Sequence, residues 1–293
     1  MNDGKSSTLR RVWPLWLAVG TLFLLLGHFG CGEGLGGWLV SNQDEVDIGN
    51  EVDQQIETDY VIVQDSDPAA QWARDLVAKL EISSGTFRDP AEFGGYKTEV
   101  ISDEMINAFA GPGGFVYITT GLILNAETCA EIAGVMAHEL GHVAAKHGVK
   151  NIEEAVGVQA LAQWLLGGTG AGTVLETVYG VMMNTTFSRE HEREADDLGV
   201  QIAYGAGYNP FGLVDFFEKL LAMEAESGGS YIPEFLSSHP ANADRIRDVS
   251  NLIGQYYGGQ VVRGQTQSYE CLGTNMNLAD VQAHILSGNF ATR

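Results

Sequence analysis

Ile48, Val52 and Ile56 recur every four residues in a stretch, 43–57, that is otherwise polar. That spacing predicts an amphipathic helix, and a second helical pattern covers 68–81. The period then changes to that of strands. Tyr96 to Ser102 and Gly114 to Thr120 are rich in β-branched and aromatic residues and read as two strands. Between them, Asn107-Ala108-Phe109-Ala110 runs into the turn punctuation of Gly111-Pro112-Gly113-Gly114. From Asn125 the helical period returns. Glu127 and Thr128 suit a helix start, Ile132, Val135, Met136 and Leu140 supply the apolar face, and Gly148 suits the end. Ala155 to Leu175 carries no charge and is interrupted by glycines from Gly167 to Gly172. Each half is too short to span a bilayer, so the expectation is two buried helices joined by a Gly-rich loop. Further helices are expected from Ser188 to about Tyr204, from Pro210 to about Glu224, and from Ala241 to Tyr256. Gly258 to Arg293 is weakly patterned. The fold class that emerges is α+β, predominantly α, with a small β-sheet.

The first thirty residues stand apart. Lys5, Arg10 and Arg11 precede an apolar run from Val12 to Leu26, and Gly27 and Gly30 lead to Cys31. Basic, apolar and small-residue regions in that order describe an export signal over 1–30. Gly30-Cys31 resembles a bacterial lipoprotein processing site, with Cys31 as the lipidated residue and the periplasmic face of a membrane as the destination. His28 stands where Leu is usual, so a plain cleaved signal and an uncleaved anchor remain as alternatives. Residues 31–42 read as a flexible tether, 43–257 as the main domain and 258–293 as a tail of unassigned role. If Cys31 carries lipid, Cys129 and Cys271 are left as a pair that an oxidising compartment could join; the sequence does not say whether they meet. The chain has 293 residues and a formal net charge of -22. So acidic a surface repels phosphate backbones and makes nucleic acid a poor partner.

The chemistry centres on His138-Glu139-Leu140-Gly141-His142. Histidines four apart on a helix share a face, close enough for two imidazoles to reach one tetrahedral zinc. The intervening Glu139 can take a proton from a metal-activated water. His147 falls about 140° around a continued helix from His142, which makes it a structural or surface residue rather than a ligand.

A catalytic zinc needs a third protein ligand. In Ser188 to Gly199 the apolar stripe is set by Ala195, Gly199, Ile202, Ala203 and Ala206. Glu192 lies within that stripe and Asp196 at its edge, while Glu190, Glu194 and Asp197 point away. A carboxylate on a buried face needs a cation, which makes Glu192 the third ligand. Asp196 can then accept from the free N–H of a ligating histidine.

These features, with Gly113-Gly114 to Gly121 and Ser238-His239-Pro240, resemble the zinc endopeptidase family that includes the CAAX prenyl proteases, HtpX-like membrane proteases and BepA- and LoiP-like periplasmic proteases. The resemblance covers roughly 45–255 and implies a zincin-like fold, one zinc per chain and Glu192 as third ligand. The soluble exported branch fits best. The segment after 257 is too short for the helical-repeat domain of BepA-like members. The resemblance further implies that Asn107, Ala108 and Phe109 lie on an edge strand that pairs with extended substrate, so unfolded or misfolded polypeptide is the expected partner. It also implies that His239 lies near the metal, either donating to the oxyanion or occupying the open position and holding the enzyme latent. Arg245 is expected to brace that loop or pair with Asp196. Two functions follow: a zinc endopeptidase in envelope quality control, or a chaperone-like protein that binds unfolded chains with little or latent proteolysis. The oligomeric state is not legible.

Overall fold

Ser41 starts the first helix. Its hydroxyl accepts from the Asp44 amide at 3.1 Å, and the Asp44 carboxylate accepts from the Ser41 amide at 3.0 Å, a reciprocal cap. The computed structural model describes residues 40–167, 171–184, 186–264, 271–288 and 290–293; the leader and Cys31 lie outside them. Helix α1 (Asn42–Asp59) buries Ile48, Val52 and Ile56, the face its sequence spacing predicts. Helix α2 (Pro68–Ser84) is capped by Asp67, with Pro68 in the first turn where its missing N–H costs nothing.

The sheet has three strands, β1 (Lys97–Ile101), β2 (Ala108–Ala110) and β3 (Phe115–Thr119), in the order β1-β3-β2. β1 runs parallel to β3, with Val100 opposite Ile118. β2 runs antiparallel to β3, with Phe109 opposite Tyr117, and forms one edge. All five residues of β3 are buried, as a central strand covered on both faces requires.

Helix α3 (Thr120–Asn125) leads to α4 (Cys129–Ala144), whose residues from Cys129 to Val143 are all buried. The Thr128 hydroxyl accepts from the Glu131 amide and caps α4. This helix ends four residues before Gly148, the stop its sequence suggested. Lys146 takes a left-handed conformation (φ 57°) that breaks the helical ladder, and its ammonium is held by Asn42 at 2.7 Å and Glu45 at 3.3 Å. A new helix, α5 (His147–Val156), begins at once.

Helices α6 (Val158–Leu165) and α7 (Ala171–Asn184) follow. The expectation of two buried helices is corrected here. Leu161 alone of α6 is buried, and Leu166 beyond it is 87% exposed. Leu161 and Val178 pack with Ile48, Val52, Ile56 and Tyr117, so the pair covers the sheet and α1 from outside. An uncharged stretch records what a segment avoids, not how much of it is covered.

Helices α8 (Arg189–Gly205), α9 (Phe211–Glu226), α10 (Glu234–Ser238) and α11 (Ala243–Tyr257) complete the surround of α4. The weakly patterned tail contributes α12 (Leu278–Leu286), which buries Leu278, Val281 and Ile285 in the main core. A disulfide joins Cys271 to Cys129 at the start of α4. Gly36–Arg293 cluster as one compact unit.

Candidate metal centre

Helices α4 and α8 approach closely because small residues face one another. A β-carbon on Gly199 would lie 3.0 Å from the backbone of His138, and one on Gly141 would lie 2.8 Å from the Ala195 carbonyl. The approach brings His138, Glu139 and His142 of α4 against Glu192 and Asp196 of α8. His239, just after α10, enters from the other side. All six side chains are buried.

Four donors converge. His138 Nε2 lies 3.1 Å from His142 Nε2 and 3.3 Å from His239 Nδ1. Glu192 places Oε1 2.9 Å from His239 Nδ1 and 3.5 Å from His142 Nε2, and Oε2 3.6 Å from His138 Nε2. Ligands at 2.0–2.1 Å around a tetrahedral zinc sit about 3.3 Å apart, which these separations match. Three imidazole nitrogens and a carboxylate pointing at one dry spot need a shared cation to offset their desolvation. The group fits a single metal ion.

A layer behind the donors fixes their orientation. Asp196 Oδ1 lies 3.0 Å from His138 Nδ1, leaving Nε2 as the donor. Arg245 grips Asp196 through Nε and Nη2, each at 2.8 Å, reaches Glu192 Oε2 at 2.6 Å, and donates to the Pro240 carbonyl at 3.1 Å. The residue thus touches both the Asp196 carboxylate and the loop that carries His239.

Charge follows this geometry. Burial alone would raise the Glu192 carboxyl, but His239, His142 and His138 outweigh it and hold the group well below the usual carboxylate range. Burial likewise opposes ionisation of Asp196, and Arg245 outweighs it. Burial pushes Glu139 up, with His239 and His138 pulling the other way. Burial holds His142 well below the ordinary histidine value and so favours its neutral, ligating form. Glu139 Oε1 is buried without a hydrogen-bond partner, 3.4 Å from His239 Nε2.

The cleft beside this group is lined by Phe109 and Ala110 of β2, Glu139, Val181 and Met182 of α7, Phe187 and His239, and encloses about 30 Å³. Asn107 and Ala108 turn their side chains inward, both buried, while Phe109 and Ala110 are half-buried against the cleft. The edge strand therefore borders the donor group across this narrow gap.

Phe187 escaped sequence reasoning, and His147, structural rather than a ligand as expected, lies closer to the site than its helical angle suggested. Phe187 stacks on His142 with ring centroids 4.0 Å apart. His147 is fully buried, with Nδ1 3.0 Å from His142 Nδ1 and Nε2 3.1 Å from Glu194. Burial pushes it down to about 4, against the pull of Glu194. The helical-angle argument that set His147 aside assumed an unbroken helix. The left-handed Lys146 redirects it, and a lysine carries no turn signal that would have revealed this.

Comparisons with known proteins agree with the site. Residues 70–253 match peptidase family M48. The beta-barrel assembly-enhancing protease of Escherichia coli K12 is 27% identical over 230 residues, 75% of this chain and 46% of that protein. The mitochondrial metalloendopeptidase OMA1 of Saccharomyces cerevisiae is 30% identical over 226 residues, 73% of this chain and 65% of that one. The metalloprotease LoiP of Escherichia coli K12 is 31% identical over 159 residues, 53% of this chain and 60% of that one. The chain thus spans less than half the length of the assembly-enhancing relative. With the family match covering most of the chain and a buried His-His-Glu-His group at its centre, the chain belongs to peptidase family M48 and is a metallopeptidase.

Proposed function

We propose that the protein is a zinc-dependent endopeptidase, exported to the cell envelope, that cleaves unfolded or misfolded polypeptide and rests in a latent state. The observation that carries this reading is the four-donor group, in which His239 would fill the place that a bound metal otherwise leaves open for water.

His138, His142 and Glu192 would hold the zinc, with Asp196 and Arg245 fixing their orientation. A bound zinc supplies a water of lowered pKa and polarises the scissile carbonyl. Glu139 would act as general base, accepting a proton from the attacking water and passing it to the leaving amine. Its unpartnered buried oxygen supports this role, because a base must keep a lone pair free. The edge position of β2 supports main-chain pairing with an extended segment at Asn107, Ala108 and Phe109, which is tolerant of sequence and suits unfolded chains.

The gap of about 30 Å³ has room for about one water and not for a peptide. A productive complex therefore requires the His239 loop, and α7 with it, to move away. The second reading is a chaperone-like protein that binds unfolded chains with little or latent proteolysis. Export as a lipoprotein through Cys31 rests on the leader sequence, and the role in envelope quality control on the resemblance to periplasmic proteases. No helix among the described residues is long and apolar enough to cross a membrane.

Casein hydrolysis separates the readings. Glu139→Gln is expected to lose activity by about 10²–10⁴-fold while keeping its zinc. His239→Ala is expected to exceed wild type. A His239→Ala protein that binds zinc yet cleaves no faster than wild type would remove the latch from the account. Full activity in Glu139→Gln would remove the general base.

A further inference from the structure

Every ligating imidazole has a second nitrogen, and the partner of that nitrogen decides which tautomer the ring adopts. For His138 the partner is a carboxylate, Asp196. For His142 it is another histidine: His147 Nδ1 lies 3.0 Å from His142 Nδ1. A contact between two imidazole nitrogens holds one proton, and it can sit on either side. If it sits on His147, the neutral His142 carries its proton on Nε2, which then cannot bind a metal.

Glu194 resolves the choice. Its Oε2 lies 3.1 Å from His147 Nε2. A carboxylate only accepts, so His147 Nε2 carries the hydrogen. A neutral His147 then has a bare Nδ1 that accepts from His142 Nδ1–H. The lone pair of His142 is left on Nε2, the atom 3.1 Å from His138 Nε2 and 3.5 Å from Glu192 Oε1. We propose that Glu194 and His147 form a carboxylate–histidine relay that holds His142 in its metal-binding tautomer, with His147 as a positioning residue.

The fold is built to deliver this contact. A continued α4 would carry residue 147 about 140° away from His142. The left-handed Lys146 turns the chain so that His147 starts α5 with its ring beside His142. Lys146 is itself tied to Asn42 and Glu45 of α1. The His191 ring stacks on His147 at 4.2 Å and 19°, covering its face. No comparable task is left for His147 elsewhere, since both its ring nitrogens are used in the relay.

The relay rests on the reading that His142 binds the metal through Nε2. The test is a zinc competition titration against a chromophoric chelator, on the full chain as wild type, His147→Asn and His147→Leu. The Asn side-chain oxygen occupies roughly the place of Nδ1 and can accept, whereas Leu fills the space and cannot. His147→Leu is expected to weaken zinc about 10–100-fold, and His147→Asn to stay within about threefold of wild type. Equal affinity in His147→Leu and wild type, or an equal loss in both variants, overturns the relay. Nitrogen NMR of the zinc-loaded wild type needs no variant to fold. A protonated Nδ1 on His142 with zinc at Nε2 supports the proposal, and the reverse tautomer overturns it. A wild type that takes up no zinc overturns the metal-site reading as well, which separates that failure from failure of the relay alone.

Discussion

Arg245 shows how single residues make the centre possible. One guanidinium contacts Glu192 and both oxygens of Asp196, and a lysine has no planar fork to do the same. Glu99 of β1 shows the opposite case, a charge placed without enough support. One of its oxygens is buried without a hydrogen-bond partner, and Asp53 and Glu57 lie near it. Burial and Asp53 push its carboxyl up from 4.5 to about 7, against the pull of Arg293. Because the folded value exceeds the unfolded one, the folded protein keeps a proton that the unfolded chain releases. The stability from that proton is full below about 4.5 and is lost as pH rises through about 7. Denaturant unfolding across this window is expected to show a decline that Glu99→Gln flattens. An unchanged slope in Glu99→Gln would assign the decline to other groups.

At the scale of elements, the contact between α4 and α8 sets the distance between the donors. Gly199 backs directly onto His138, so Gly199→Ala must push the helices apart. The expected cost is about 1–3 kcal/mol of overpacking together with weaker zinc binding, because Glu192 and Asp196 move with α8. Unfolding curves and a zinc competition assay check both; wild-type values in each would mean that the helices absorb a methyl without shifting. Much of this arrangement is legible in the sequence. The period of Ala195, Gly199, Ile202 and Ala203 puts Glu192 on the buried face, and the four-residue spacing of His138 and His142 puts both on one side of α4. What is not legible is set by contacts between elements. Lys146 breaks α4 in a left-handed conformation, its ammonium held by Asn42 and Glu45 of α1, and nothing local to residues 144–148 records that. Likewise the lack of charge in α6 and α7 does not reveal that they cover the sheet from outside.

Across the whole molecule, the tail closes on α4. The Cys129–Cys271 disulfide spans 142 residues and fastens the first residue of α4, while α12 buries Leu278, Val281 and Ile285 beside it. The last residues are tied in as well, since Thr292 pairs with Val63, outside the sheet, by an isolated bridge. The sequence leaves the Cys129–Cys271 pairing open as one possibility, whereas α12 is hidden in the weak periodicity of 258–293 because it is short and its partners lie far back in the chain. Cys271→Ser is expected to lose about 2–5 kcal/mol of stability, read from denaturant unfolding of the non-reduced protein, with zinc still bound in the native state. A loss below about 1 kcal/mol would mean that burial of α12 alone holds the tail.

If three histidines and one glutamate share a single zinc at rest, X-ray absorption at the zinc edge of the full-length wild type and His239→Ala reads that coordination out. The expected result is one zinc per chain, with three imidazoles and one carboxylate in wild type and two imidazoles in His239→Ala. The same imidazole count in both proteins, or no bound zinc in the wild type, would contradict it.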